Sequence, residues 1–135
     1  MNLRDQLIRD EGLRLKPYRD TVGKLTIGVG RNLDDNGITR DEAECLLHND
    51  LARVYAELHH ALPDLSLDPV RGAVLGNMAF NMGIGRLLGF RKMLAALRVG
   101  DFAQAAVEML DSDWATQVGS RAHRLARQME TGEWV

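Results

Sequence analysis

Glu11, Asp20 and Thr26 are two acids and a hydroxyl placed where the local pattern passes from helix to turn to strand. Leu3, Leu7 and Ile8 recur at helical spacing, and a rotation of 100° per residue sets Glu11 within that apolar stripe. Gly12 follows at once as a helix stop. A carboxyl pressed against an apolar face, at the negative end of a helix dipole, is disfavoured as an ion. Glu11 is therefore a candidate general acid, a group that holds its proton near neutral pH until it delivers it. Taken alone, the residue has a structural alternative as a helix-end carboxylate paired with a cation.

Asp20 precedes Thr21-Val22-Gly23-Lys24, which reads as a hairpin turn. Leu25, Ile27 and Val29 then alternate with Thr26, Gly28 and Gly30, the period of a strand. One face of that strand is apolar. The other carries a hydroxyl and two glycines, which admit the close approach of another backbone or a ligand. Thr26 is thus expected on an open, substrate-accessible surface. Helix end, turn and strand would gather a protonated carboxyl, an ionised carboxylate and a hydroxyl around one cleft.

The elements that must hold these groups are legible from their caps. Residues 2–11 read as a helix and 15–30 as a short antiparallel hairpin. Thr39 and Glu42 form a capping box at the head of a long amphipathic helix that Leu62-Pro63 breaks. Asp68-Pro69 caps the next helix, Val70 to Met82, which is apolar nearly all round and belongs at the centre of a bundle. Gly83 and Gly85 are expected to end it. Further helices follow over Phe90 to Leu97 and from Asp101, with Gln104 as its capping partner, to Asp111. Trp114 to Gln117 reads as one short turn and Ser120 to Met129 as the last helix. Met78 and Met82, at helical spacing, are core fillers. Asn77 and Asn81 lie one turn apart and could be core hydrogen-bonders or cleft residues.

At 135 residues the chain is one domain's worth of core. No apolar run approaches the ~20 residues of a membrane span, and the charged N-terminus is expected to be neither a secretory signal nor an anchor. The single cysteine, Cys45, excludes an internal disulfide and suits a reducing compartment. His48, His59, His60 and His123 lack the spacing of a zinc site, and Gly28-x-Gly30 lacks the third glycine of a dinucleotide loop. No metal, cofactor or nucleic-acid partner is expected. The net charge of −2 gives little overall attraction to an anionic polymer. Its distribution is uneven, with Arg86, Arg91, Lys92, Arg98, Arg121, Arg124 and Arg127 in the second half and an acidic stretch around Asp34 to Asp50.

The run Asp10 to Lys16, then Tyr18-Arg19-Asp20-Thr21, then Thr26-Ile27-Gly28-Val29-Gly30, resembles phage lysozymes of the T-even type. The likeness continues through Asn77-Met78-Ala79-Phe80-Asn81-Met82-Gly83, Trp114, Ser120-Arg121-Ala122-His123-Arg124 and Thr131-Gly132-Glu133-Trp134. It covers nearly the whole chain in order. It departs at Arg31, where several relatives carry His, and in the stretch Arg31 to Gly37. That stretch is much shorter than the sheet-bearing segment of the longest relatives.

The resemblance implies a single α+β, mostly α domain over residues 1–135, two-lobed and lysozyme-like. It has a small β-hairpin lobe at 12–38, a linking helix at 39–60 and a helical lobe at 61–135 together with helix 2–11. It implies an endolysin, an N-acetylmuramidase cutting the β-1,4 bond between N-acetylmuramic acid and N-acetylglucosamine of peptidoglycan. Glu11 would protonate the leaving oxygen, while Asp20 and Thr26 hold a water on the far face of the sugar, giving inversion. Tyr18, Gly30, Arg31, Phe80 and Asn81 would bind substrate. Arg121 would approach Glu11, and Arg124 would approach Asp10. The same resemblance implies a monomer held in the host cytoplasm, without stable membrane insertion, until a holin-type permeabiliser releases it to the periplasm and wall. A lytic transglycosylase uses one acid and the substrate's own hydroxyl, so Asp20 and Thr26 speak against it. A non-catalytic wall-binding module would not need the trio, and a virion-associated wall-penetrating enzyme would share it.

Overall fold

A computed structural model describes all 135 residues as two compact units, Met1–Leu46 and Leu47–Val135. The architecture is α+β and predominantly helical, as expected.

The first unit opens with α1 (Leu3–Glu11), whose first turn is capped by Asn2 through a 2.9 Å bond from the Asp5 amide to its Oδ1. Gly12 ends the helix by donating its N–H to the Ile8 carbonyl. Three strands follow, β1 (Arg14–Arg19), β2 (Leu25–Gly28) and β3 (Arg31–Asn32), forming an antiparallel sheet in that order. Thr26 sits on the central strand, opposite Tyr18 on one side and Asn32 on the other. One helical turn, α2 (Leu33–Asn36), is started by the Asn32 side chain, which accepts the Asp35 N–H at 3.0 Å. The third strand and α2 are additions to the expected hairpin, built from the short Arg31 to Gly37 stretch.

The capping box forms at the head of α3 (Arg40–Ala61). The Glu42 amide donates to Thr39 Oγ1, and the Thr39 amide donates to Glu42 Oε1. This 22-residue helix begins in the first unit and ends in the second.

The second unit adds α4 (Pro69–Met82), α5 (Ile84–Leu88), α6 (Arg91–Arg98), α7 (Phe102–Leu110), α8 (Asp113–Val118) and α9 (Ser120–Thr131). Asp68 caps α4 with Pro69 in its first turn, and Asp101 caps α7 by accepting the Gln104 amide. Gly83 ends α4 as expected, but Gly85 lies inside α5 rather than ending anything. The expected turn at Trp114 is a six-residue helix, because Ser112 accepts the Ala115 amide as its N-cap. The core lies between α4, α6, α7 and α9. Met78, Met93, Met109 and Met129 are fully buried there with Val74 and Leu87, the unbranched thioethers filling space between crossing helices. Arg71 of α4 closes the C-terminus of α9. Its guanidinium donates to the Met129 and Glu130 carbonyls at 2.7 and 3.0 Å and lies 3.7 Å over the Phe102 ring.

Candidate active site

Of the first 46 residues only Thr26 is buried, and this governs the geometry of the candidate catalytic groups. Leu3 and Leu7 are 68% and 43% exposed, and α1 has no buried residue. The expectation that Glu11 is pressed against a buried apolar stripe is therefore corrected: the stripe exists along α1, but Glu11 is exposed at its end. A unit of three short strands and one turn of helix has too little apolar surface of its own to cover a helix face. What the Glu11 side chain does touch is the turn between β2 and β3. A Cβ placed on Gly30 would meet Glu11 Oε2, Cδ and Cγ at 3.0, 3.1 and 3.2 Å.

Asp20 is held by the hairpin turn it opens. Its Oδ1 accepts two backbone N–H groups, from Val22 at 2.9 Å and Lys24 at 2.8 Å, which leaves Oδ2 without a bond. The Asp20 amide donates to the Lys24 carbonyl at 2.9 Å, and the same carbonyl accepts the Thr26 hydroxyl at 2.9 Å. One peptide carbonyl thus ties the acid and the hydroxyl together. Thr26 is 3% exposed, so the expected open surface around it is corrected as well. On a central strand with neighbours on both sides, its short side chain is covered where an edge residue would not be.

The carboxylates of α2 brace that turn. Asp34 Oδ2 accepts the Leu25 amide at 2.7 Å and the Arg19 guanidinium at 3.3 Å, and Asp35 pairs with Lys24 at 3.0 Å. The Lys24–Asp35 hydrogen bond holds the amine up and the carboxyl down from their ordinary values. These supporting residues were not picked out from the sequence. The available signal was Asn32 three residues before Asp35, an Asn-cap spacing.

Tyr18, expected to bind substrate, faces Thr26 across the ladder with the Arg14 guanidinium 4.4 Å from its ring centre. Arg31 donates from Nη1 to Glu42 Oε1 at 2.9 Å and to the Gly37 carbonyl at 3.2 Å, tying β3 to the head of α3. Asp10 pairs with its neighbour Arg9 at 2.8 Å.

In the second unit Arg121 forks two nitrogens onto Asn77 Oδ1, at 3.0 and 2.7 Å, and Arg124 donates to Ser120 Oγ at 3.1 Å. Phe80 is 45% exposed and lines a groove of about 680 Å³ with Leu47, Leu51 and Tyr55. Asn81 points elsewhere. Its Oδ1 accepts the Trp114 indole N–H at 2.9 Å, and it borders a separate cavity of about 600 Å³ with Phe90 and Gln117. The two asparagines of α4 are both engaged by residues of later helices.

Residues 9–130 match the model of the family described as phage lysozyme. The chain belongs to the phage lysozyme family. It is 32% identical over 162 residues to the probable T4-type lysozyme 1 of Dictyostelium discoideum, covering 97% of this chain and 95% of that protein. It is 34% identical to the SAR-endolysin of Escherichia phage Mu, over 97% of this chain and 77% of the other. The pre-baseplate central spike protein Gp5 of Enterobacteria phage T4 is likewise 34% identical over 98% of this chain, which spans 28% of that protein's length. As a member of the family the protein is a lysozyme, an enzyme of the glycosidase class. The motif blocks that suggested the resemblance lie within the matched region except for the last, Thr131 to Trp134.

Proposed function

We propose that this lysozyme is an endolysin, an N-acetylmuramidase that hydrolyses the β-1,4 bond between N-acetylmuramic acid and N-acetylglucosamine in peptidoglycan with inversion. The observation that supports it best is the coupling of Asp20 and Thr26 through the Lys24 carbonyl. With Oδ1 committed to two amides, Asp20 offers Oδ2 to accept a proton from water. The Thr26 hydroxyl hydrogen is committed to Lys24, so its oxygen offers a lone pair to the same water. Glu11 delivers its proton to the leaving oxygen from the other side of the sugar. Water then attacks the face opposite the leaving group, which calls for carboxyl groups about 6.5–9.5 Å apart. The scheme needs no metal or organic cofactor.

The chain acts as one catalytic domain and as a monomer, with peptidoglycan as its partner. It waits in the host cytoplasm until a holin-type permeabiliser releases it to the wall; no helix of the chain is long and apolar enough to cross a membrane. Digestion of purified peptidoglycan tests the chemistry. New N-acetylmuramic acid reducing ends, appearing first as the α-anomer, are expected. Anhydro-sugar ends identify a lytic transglycosylase instead, and an intact polymer identifies a binding module. Similarity to a spike protein favours a second reading, a virion-associated wall-penetrating enzyme. Detecting the protein in purified virions rather than in the lysate would establish it.

A further inference from the structure

We propose that Gly30 is a positioning residue for Glu11: its bare Cα is the surface on which the carboxyl rests, and any side chain there displaces the proton donor. The inference builds on Glu11 acting as the acid in the muramidase reading.

The nearest neighbours of a Cβ at Gly30 are three atoms of one side chain, Glu11 Oε2, Cδ and Cγ at 3.0, 3.1 and 3.2 Å. Contacts this tight require the carboxyl to give way by a few tenths of an ångström. Nothing else in the first unit holds it, since no donor there bonds the Glu11 carboxylate. The packing against Gly30 is the restraint that the first unit places on the acid. Proton delivery depends on such placement, and errors of ~1 Å in a reacting group can cost ~100-fold.

Gly30 also has φ of +66°, so a substitution there strains the backbone in addition to crowding Glu11. Gly28 separates the two effects. It has nearly the same φ, +70°, on the same hairpin, yet a Cβ there meets nothing within 4 Å. Gly28→Ala therefore carries the strain without the contact.

Wild type, Gly28→Ala and Gly30→Ala should be compared on solubilised peptidoglycan and in urea unfolding. Both variants are expected to lose stability through strain, but only Gly30→Ala should lose kcat, by about threefold or more for a shift of a few tenths of an ångström, with KM within twofold. A double-mutant cycle reads the contact without catalysis. The stability lost through Gly30→Ala should shrink when Glu11 is replaced by Ala, while the loss through Gly28→Ala stays the same in both backgrounds. Should Gly30→Ala fail to fold beside Glu11, it should fold in the Glu11→Ala chain. Equal kcat losses in the two glycine variants, a Gly30→Ala stability cost independent of Glu11, or failure to fold in both backgrounds overturns the proposal. A wild type that does not cleave the wall, with the Glu11–Gly30 coupling intact, overturns the muramidase reading and leaves the contact standing.

Discussion

Arg31 Nη1 stands 2.9 Å from Glu42 Oε1, and the same oxygen caps α3 by accepting the Thr39 amide at 2.9 Å. A residue expected to touch substrate is thus engaged in joining the sheet to the helix. The Arg31 hydrogen bond, helped by the Thr39 amide and hydroxyl, pulls Glu42 from 4.5 to about 2, outweighing the opposing effect of burial. A carboxyl whose folded value is depressed stabilises the fold fully above its unfolded value, and that contribution fades as pH falls through the folded value. The melting temperature should therefore decline from about pH 4.5 down to about 2. Glu42→Gln should be less stable at pH 7 and show a shallower decline across this window. Thermal unfolding at pH 2 to 7 checks it, and parallel curves for the two proteins would refute the assignment.

Glu11→Gln should abolish wall lysis and leave the melting temperature unchanged, because the exposed side chain has no donor partner in its own unit to lose. Turbidity loss of permeabilised Gram-negative cells measures the first and calorimetry the second. Activity above a few per cent of wild type would remove Glu11 from the role of acid.

At Asp20 the structural and chemical roles can be separated. Asp20→Asn keeps an oxygen for the Val22 and Lys24 amides, so the turn should survive while the negative charge is lost. Asp20→Ala removes both and should cost about 1–2 kcal/mol more, since two hydrogen bonds are lost at a turn partly open to water. Both should be inactive. Urea titration and reducing-end release give the two readouts, and an active Asp20→Asn enzyme would show that the charge is dispensable.

Thr26→Val is nearly isosteric and removes only the hydroxyl. The Lys24 carbonyl keeps the Asp20 amide, so the expected stability loss is modest, about 1 kcal/mol. Activity should fall steeply if the hydroxyl orients water. A variant that loses stability yet keeps its rate would confine Thr26 to bracing the turn.

Arg71 gives a prediction away from the chemistry. Its side chain is only 16% exposed, pairs with Asp68, holds two carbonyls at the end of α9 and covers the Phe102 ring. Arg71→Ala should cost about 2–4 kcal/mol in urea unfolding. Arg71→Lys should recover little of it, since an ammonium lacks the planar fork that meets two carbonyls while lying flat on a ring. Full recovery with Lys would mean that charge alone matters.

The amino-acid sequence by itself determined where helices begin. Thr39 with Glu42, Asp68 ahead of Pro69 with the Arg71 amide, and Asp101 with Gln104 all cap where predicted, because a cap joins residues three apart and needs nothing from the rest of the chain. The hairpin around Asp20 is local for the same reason, and its alternating residues form β2 as far as Gly28, with Val29 and Gly30 turning toward β3 instead of extending the strand. Tertiary structure decided what the side chains meet. Arg121 engages an asparagine 44 residues away, Trp114 reaches Asn81 across 33, and Arg71 closes a helix 58 residues downstream. Thr26 is buried because β3 forms on its far side, and Glu11 is exposed because its own unit has no core to receive the α1 stripe. Periodicity along a helix names the face to be covered. Only the packing of distant segments determines whether anything covers it, and which polar groups then find partners.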